Sequence, residues 1–183
     1  MRRLDLADLS SVRGFAERFT DPIDVLINNA GISIPPLVRA VDGFESQFGT
    51  NHLGHFGLTN LLLPQVRDRI VTVGSLAHLT GKIDFTDLNW RTRNYKPYAA
   101  YGQSKLANHL SAHELQRQLT ARGSPVKSVA AHPGIATTNL MNAEGQSLRH
   151  RFEKLFIQSF AHSAEAGALP ILYAATADIP GDS

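Results

Sequence analysis

Tyr98-Ala-Ala-Tyr-Gly-Gln-Ser-Lys-Leu-Ala-Asn108 is the stretch on which the reading of the chain turns, and its pattern runs on through Leu110 and Leu115 as a long helix. Positions four apart share a helix face, so the Tyr101 hydroxyl and the Lys105 ammonium can serve one pocket. A free tyrosine, with a pKa of about 10, is a poor acid or base at neutral pH. A cation held within roughly 4–6 Å can lower that value by about one to three pH units. A change of three takes about 4 kcal/mol, which requires a partly desolvated site. The same spacing also describes an exposed aromatic–cation pair on a surface helix, so the flanking sequence has to decide.

Outward from this helix, short apolar runs alternate with helical patterns. Leu4-Asp-Leu-Ala-Asp-Leu9 alternates like the tail of a strand, and Ser10 or Ser11 could cap a helix carrying Val12, Phe15, Ala16 and Phe19. Asp24–Asn28 is a continuous apolar run suited to a strand buried on both faces. Phe44–Leu63 reads as a long helix ending at Pro64, and Arg69–Ser75 as a second buried strand. Residues Gly81 to Pro97 form a polar, aromatic connection. The Tyr101 helix stops near Ala121 before Arg122-Gly123. Lys127–Ala131 is a third strand, and Ala164–Ala177 an alanine-rich helix.

This alternation implies βαβ units and a parallel sheet, an α/β fold. Ligands bind such sheets at the carboxyl ends of the strands. Asn28–Gly31, Gly74-Ser75 and His132–Gly134 would cluster there, with Tyr101 beginning the helix after the second. A Ser75 hydroxyl beside Tyr101 could orient a carbonyl or alcohol while Tyr101 moves the proton. Neither supplies electrons, so hydride transfer would need a nicotinamide cofactor.

The 183 residues are 43% hydrophobic with a formal net charge of +2, enough for one domain with a real core. The lysines and arginines are too scattered to indicate nucleic acid. The absence of cysteine excludes disulfides and thiolate zinc sites. No apolar run approaches the roughly 20 residues of a membrane span, and Met1-Arg-Arg-Leu-Asp lacks an apolar signal core, so a cytoplasmic protein is expected. His109/His113 and His52/His55 have helical spacing, but Arg117 breaks the His-Glu-x-x-His pattern begun by His113-Glu114, and no metal is expected.

Taken together and in order, these elements resemble the short-chain dehydrogenase/reductase family, most closely its retinol-dehydrogenase and protochlorophyllide-reductase-like members. The likeness rests on Asn28-Asn-Ala-Gly31, Asn51-His-Leu-Gly-His-Phe56 with Leu58 and Thr59, Val73-Gly-Ser75, Tyr101-x-x-x-Lys105, and His132-Pro-Gly134 with Thr137 or Thr138. It implies an incomplete Rossmann-like, doubly wound parallel sheet and an NAD(P)-dependent oxidoreductase interconverting an alcohol and a carbonyl, with NADP somewhat favoured over NAD. Tyr101 would be the general acid/base and Ser75 its substrate-orienting partner. Lys105 would lower the tyrosine pKa and bind the nicotinamide ribose, and Asn51 would hold a water in the proton relay. Asp5 and Leu6 would contact adenine. Asn28, Ala30, Gly31, Pro133, Gly134 and Thr137 would line the cofactor cleft. Phe152, Leu155, Phe156 and Phe160 correspond to a substrate lid, so the substrate could be apolar. The Phe44–Leu63 and Tyr98–Ala121 helices correspond to the family's common homodimer interface.

The chain departs from the family in lacking its opening glycine-rich βαβ unit and its last strand, so 1–183 is expected to be one partial domain, truncated at its N-terminus. A strand at Leu4–Leu6 would then lie three spacings, about 14 Å, from its nearest remaining neighbour. The Val25–Asn28 strand would show an open apolar edge. Two other readings stand beside the oxidoreductase: an inactive fragment or pseudoenzyme, and a sugar-nucleotide epimerase, which shares the Tyr-x-x-x-Lys helix.

Overall fold

A computed structural model describes residues 3–134 and 164–179. Asp8, not Ser10 or Ser11, caps the first helix, α1 (Leu9–Glu17); its carboxylate accepts from the backbone N–H of Ser10 at 2.8 Å and of Ser11 at 3.2 Å. A carboxylate cap satisfies otherwise orphaned N–H groups, and both serines fall inside the first turn. The expected strand at Leu4–Leu9 is not formed. The alternation is real in burial, since Asp5 is exposed and Leu6 buried, but it belongs to an irregular segment. Leu6 packs into a cluster with Val12, Ala16, Leu58 and Leu62, so the separation expected for that strand does not arise.

Strand β1 (Ile23–Asn28) follows. The expected long helix is a π-helical turn at Phe48–Gly54, then α2 (His55–Leu62), then a 3-10 turn at Leu63–Gln65 that ends on Pro64-Gln65. Strand β2 (Val66–Val73) starts three residues earlier than the apolar run indicates, and a short 3-10 turn covers Leu76–Thr80. Helix α3 (Pro97–Ala121) has Pro97 at its start, where a missing N–H costs nothing. Strand β3 (Lys127–Ala131) and helix α4 (Ala164–Thr176) complete the described elements.

The three strands form a parallel sheet in the order β1-β2-β3, with Asn28 level with Thr72, and Val73 level with Ala131. Parallel strands need covered faces, and β2 supplies alternate residues to each. Ile70 packs with Val66, Leu119 and Val126 beneath α3, whereas Val71 packs with Val129, Ala174 and Ala175 beneath α4. Ile70 and Val71 are fully buried, a contribution of about 1.5–3 kcal/mol each. The buried Arg69 pins α4, donating to the carbonyls of Ala174 at 3.1 Å and Ala177 at 2.6 Å. Among the described residues β1 pairs only with β2, and Ile27 is 39% exposed, as the open edge requires. No helix among the described residues is long and apolar enough to cross a membrane.

Candidate active site

The parallel register puts the three polar strand ends side by side, as the sequence pattern implies. The Gly74 N–H donates to Ala131 O at 2.7 Å, which carries the β2–β3 ladder one step beyond Val73 and fixes where Ser75 emerges. Ser75 caps the Leu76–Thr80 turn, its hydroxyl accepting from Ala77 N at 3.3 Å. That turn lies against α3 through two glycines. A Cβ on Gly81 would fall 2.4 Å from Gly102 O, and one on Gly102 would fall 3.0 Å from Ala77 O. Gly102 follows Tyr101, so this close approach sets the Ser75 hydroxyl near the Tyr101 phenol, where it acts to lower the phenol's pKa.

Lys105 lies one turn further along α3. Its ammonium donates to Val73 O at 3.0 Å and stands 5.8 Å from the centre of the Tyr101 ring. Burial disfavours its charged form and brings its pKa down to about 8. The expectation that Lys105 lowers the tyrosine pKa is not met in the chain on its own. Burial raises the Tyr101 phenol, and this outweighs the opposing hydrogen bond from Ser75. The physical reason is that the site withdraws the phenol from water, while the ammonium is directed at the end of β2.

Asn51 is fully buried within the π-helical turn. Its amide clasps the backbone of Ile32, accepting from the N–H at 2.8 Å and donating to the carbonyl at 2.9 Å, and it reaches Ser104 Oγ at 3.1 Å. The Asn51 carbonyl accepts from His55 Nδ1 at 3.0 Å, which fixes that ring's tautomer. Burial is the main cause that lowers the His55 pKa and holds the imidazole neutral. Gly31 is needed beside Asn51: a Cβ there would be 3.0 Å from Asn51 Oδ1.

The remaining expected cofactor residues are placed unevenly. Ala30 and Gly31 are exposed at the end of β1, whereas the Asn28 side chain is buried and donates to Thr59 Oγ1 at 2.8 Å. Asp5 is exposed and its carboxylate accepts from Ala7 N at 2.9 Å, while Leu6 is given to the core. Pro133 and Gly134 follow β3, with Gly134 at φ 69°, the left-handed region that favours glycine. Thr137, Thr138 and the Phe152–Phe160 segment lie outside the described residues.

Among the described residues no three histidine or acidic side chains are grouped to hold a metal ion. His52 is hydrogen-bonded through Nδ1 to Asn108 Oδ1 at 3.1 Å. His109 stacks on His78 and meets His113 edge to face. A cavity of about 220 Å³ opens between α2 and α3, bordered by His55, Thr59, Thr72 and Asn108. Tyr101 and Ser75 do not border it, so it is separate from the Ser75–Tyr101 site.

Sequence reading missed Gln47, Gln103 and the Gly81–Gly102 contact. Both glutamines are fully buried and hold the 84–97 connection against α3, Gln103 by donating to Leu88 O at 2.9 Å. Spacing offered one signal, since Gln47 precedes Asn51 by four and so shares its helix face.

The chain matches the family model described as short chain dehydrogenase over residues 2–149. It belongs to that family. It is 48% identical to the polyprenol dehydrogenase of Mus musculus over 185 residues, covering 95% of this chain and 55% of that protein. It is 53% identical to retinol dehydrogenase 13 of Homo sapiens over 146 residues, covering 76% of this chain and 44% of that protein. The chain thus spans about half the length of the curated relatives it matches. Among solved structures, an uncharacterized protein from Mycobacterium Paratuberculosis is 55% identical with a TM-score of 0.83, over 100% of this chain and 60% of that one. A short chain dehydrogenase from Burkholderia cenocepacia in complex with NADP shares the fold at a TM-score of 0.65 and 23% identity, over 98% of this chain and 69% of that one.

Proposed function

We propose that this chain carries the proton-transfer half of an NAD(P)-dependent oxidoreductase that interconverts an alcohol and a carbonyl. The observation that carries the reading is the packing of the Ser75 turn against Tyr101 and a desolvated Lys105, 5.8 Å from the Tyr101 ring centre, at the carboxyl ends of a parallel sheet. Tyr101 donates a proton to a carbonyl oxygen, or takes one from an alcohol, and Ser75 orients that oxygen. Asn51 holds the backbone at Ile32 against α3.

The donors present suit the ribose end of a nicotinamide nucleotide. Among the described residues the Lys105 ammonium donates to Val73 O alone, which leaves it donors for ribose hydroxyls. Ala30 and Gly31 present exposed, nearly bare backbone next to Asn51. When bound, the nicotinamide ring supplies or accepts the hydride that no side chain can. The NADP complex of the Burkholderia structure supports a nicotinamide cofactor, without a preference between NADP and NAD.

An apolar alcohol fits the surroundings. Leu76 and Leu79, just after Ser75, are 42% and 73% exposed, and Tyr98 on the first turn of α3 is 61% exposed. The names of the polyprenol and retinol dehydrogenase relatives agree with that class. Pairing of two copies through α2 and α3 is part of the same reading, supported by the exposed Phe56, Leu61 and Leu110.

The test incubates the chain with NADP+ or NAD+ and alcohols of increasing apolar length, following the absorbance of the reduced nicotinamide. Tyr101→Phe is expected to abolish turnover while leaving cofactor binding nearly intact. Retention of most activity by that variant would sink the assignment of Tyr101.

A further inference from the structure

The segment after β1 and the start of α3 are far apart in sequence, yet two amides on one face of the π-helical region join them. Asn51 is one, through Ile32 and Ser104. Gln47, four residues earlier, is the other. Its Oε1 accepts from Ile34 N at 2.9 Å, and its Nε2 donates to Pro97 O at 2.9 Å and to Tyr95 Oη at 3.0 Å. All of its hydrogen-bonding hydrogens are thereby used in a fully buried place.

The groups Gln47 holds need holding. Ile34 sits at φ 57°, a left-handed conformation that is strained for a β-branched residue and persists only where its surroundings enforce it. Pro97 opens α3, and Tyr101 lies one turn on, so the carbonyl that Gln47 grips helps set the height and tilt of the helix at the phenol. Glu45, also fully buried, fixes Gln47 in turn. It accepts from Gln47 N at 3.0 Å, Phe48 N at 2.8 Å and Tyr95 Oη at 2.9 Å.

We propose that Gln47 is a positioning residue for the reaction, coupling the Ile32–Ile34 segment to the first turn of α3 so that Tyr101 is held at Ser75. It touches neither substrate nor cofactor and acts through Pro97 and Ile34. The proposal rests on the oxidoreductase reading for its kinetic consequence, but its structural content can be measured without turnover.

The experiment follows the tyrosine ring carbons by NMR during a pH titration of the 183-residue chain, in wild type, Gln47→Leu, Gln47→Met and Tyr95→Phe. Burial holds the Tyr101 phenol above its ordinary value, so releasing the first turn of α3 admits water. The Tyr101 midpoint is expected to fall towards the ordinary value in Gln47→Leu. Gln47→Met keeps volume and adapts its shape, and the same fall is expected there if the leucine variant does not fold. Tyr95→Phe keeps the bonds to Ile34 and Pro97 and is expected to leave Tyr101 near its wild-type midpoint. A merely structural Gln47 would lower stability without moving the Tyr101 titration. With an alcohol substrate, Gln47→Leu is expected to lower kcat by about a hundredfold with KM little changed, the scale of a 1 Å misplacement. Folded Gln47→Leu or Gln47→Met with an unmoved Tyr101 midpoint would overturn the proposal. Inactivity of the wild type would count against the oxidoreductase reading alone, because the titration still decides the role of Gln47.

Discussion

Replacing Gly81 with alanine probes the contact that brings Ser75 to Tyr101. Gly81 has φ −67°, an ordinary conformation for any residue, so the backbone is not strained by the change. The effect is steric. The added Cβ would lie 2.4 Å from Gly102 O, 2.9 Å from Gly102 C and 3.0 Å from Leu106 Cβ. Two of these are backbone atoms inside α3 and cannot rotate away. Reaching an ordinary contact requires the turn and the helix to separate by about 1 Å, and overpacking of this kind costs about 1–3 kcal/mol. For a chain of this size each kcal/mol lowers the melting temperature by about 2–4 °C. The same displacement separates Ser75 from Tyr101, so turnover is expected to fall by about a hundredfold. Urea and thermal unfolding measure the first effect, and the alcohol assay the second. Gly57→Ala is the control, because its Cβ would meet only Val12 Cγ1 at 3.8 Å and alanine favours a helix. A Gly81→Ala chain as stable as Gly57→Ala would refute the reasoning, since the turn would then have room to spare.

Three further outcomes follow from the geometry. The Lys105 pKa of about 8 lies below its unfolded value, so the unfolded chain binds the extra proton above that pH. Stability is therefore expected to rise from about pH 8 to about pH 10, and to stop rising where the half-buried Tyr95 and Tyr101, whose pKa values are raised, begin to oppose it. Urea midpoints in that range should rise for the wild type and stay flat for Lys105→Met; a rise of equal size in both would contradict the assignment. Arg69→Met removes two hydrogen bonds from a charged donor, one buried and one part-buried, each worth about 1.5–3 kcal/mol, and is expected to speed amide exchange at the end of α4 before other helices. Phe56→Glu on the exposed face of α2 is expected to shift sedimentation of any dimer towards the monomer without changing stability by more than about 0.5 kcal/mol.

Much of the fold was legible because local patterns agreed with the tertiary structure. The β3 strand and the long α3 helix fall almost where their apolar and helical patterns place them, and the strand ends converge as a parallel sheet requires. Leu4–Leu9 misled because alternation records which residues are buried, not what buries them. Here the burying surface is a pair of helices, and among the described residues no strand lies alongside to supply hydrogen bonds. The serine cap was misplaced because Asp8 is the better acceptor and lies two residues before Ser10. The site was legible as residue types in order, but its energetics were not. The direction of the Tyr101 pKa depends on how deeply α3 and the Ser75 turn bury the phenol. The turn and α3 meet at a glycine–glycine contact between residues 21 apart. Gln47 was hidden for the same reason, since its partners at 34, 95 and 97 are joined only by the fold.

The most direct test is a titration of the isotope-labelled 183-residue chain with NADPH and with NADH, reading amide shifts residue by residue while folding is verified. Saturable shifts confined to Ala30–Ile32, Asn51, Ser75, Tyr101 and Lys105, with the Tyr101 phenol titrating lower once the cofactor is bound, are the expected result. A folded chain whose shifts fall elsewhere, or which shows none at saturating cofactor, would contradict the nicotinamide site on these residues.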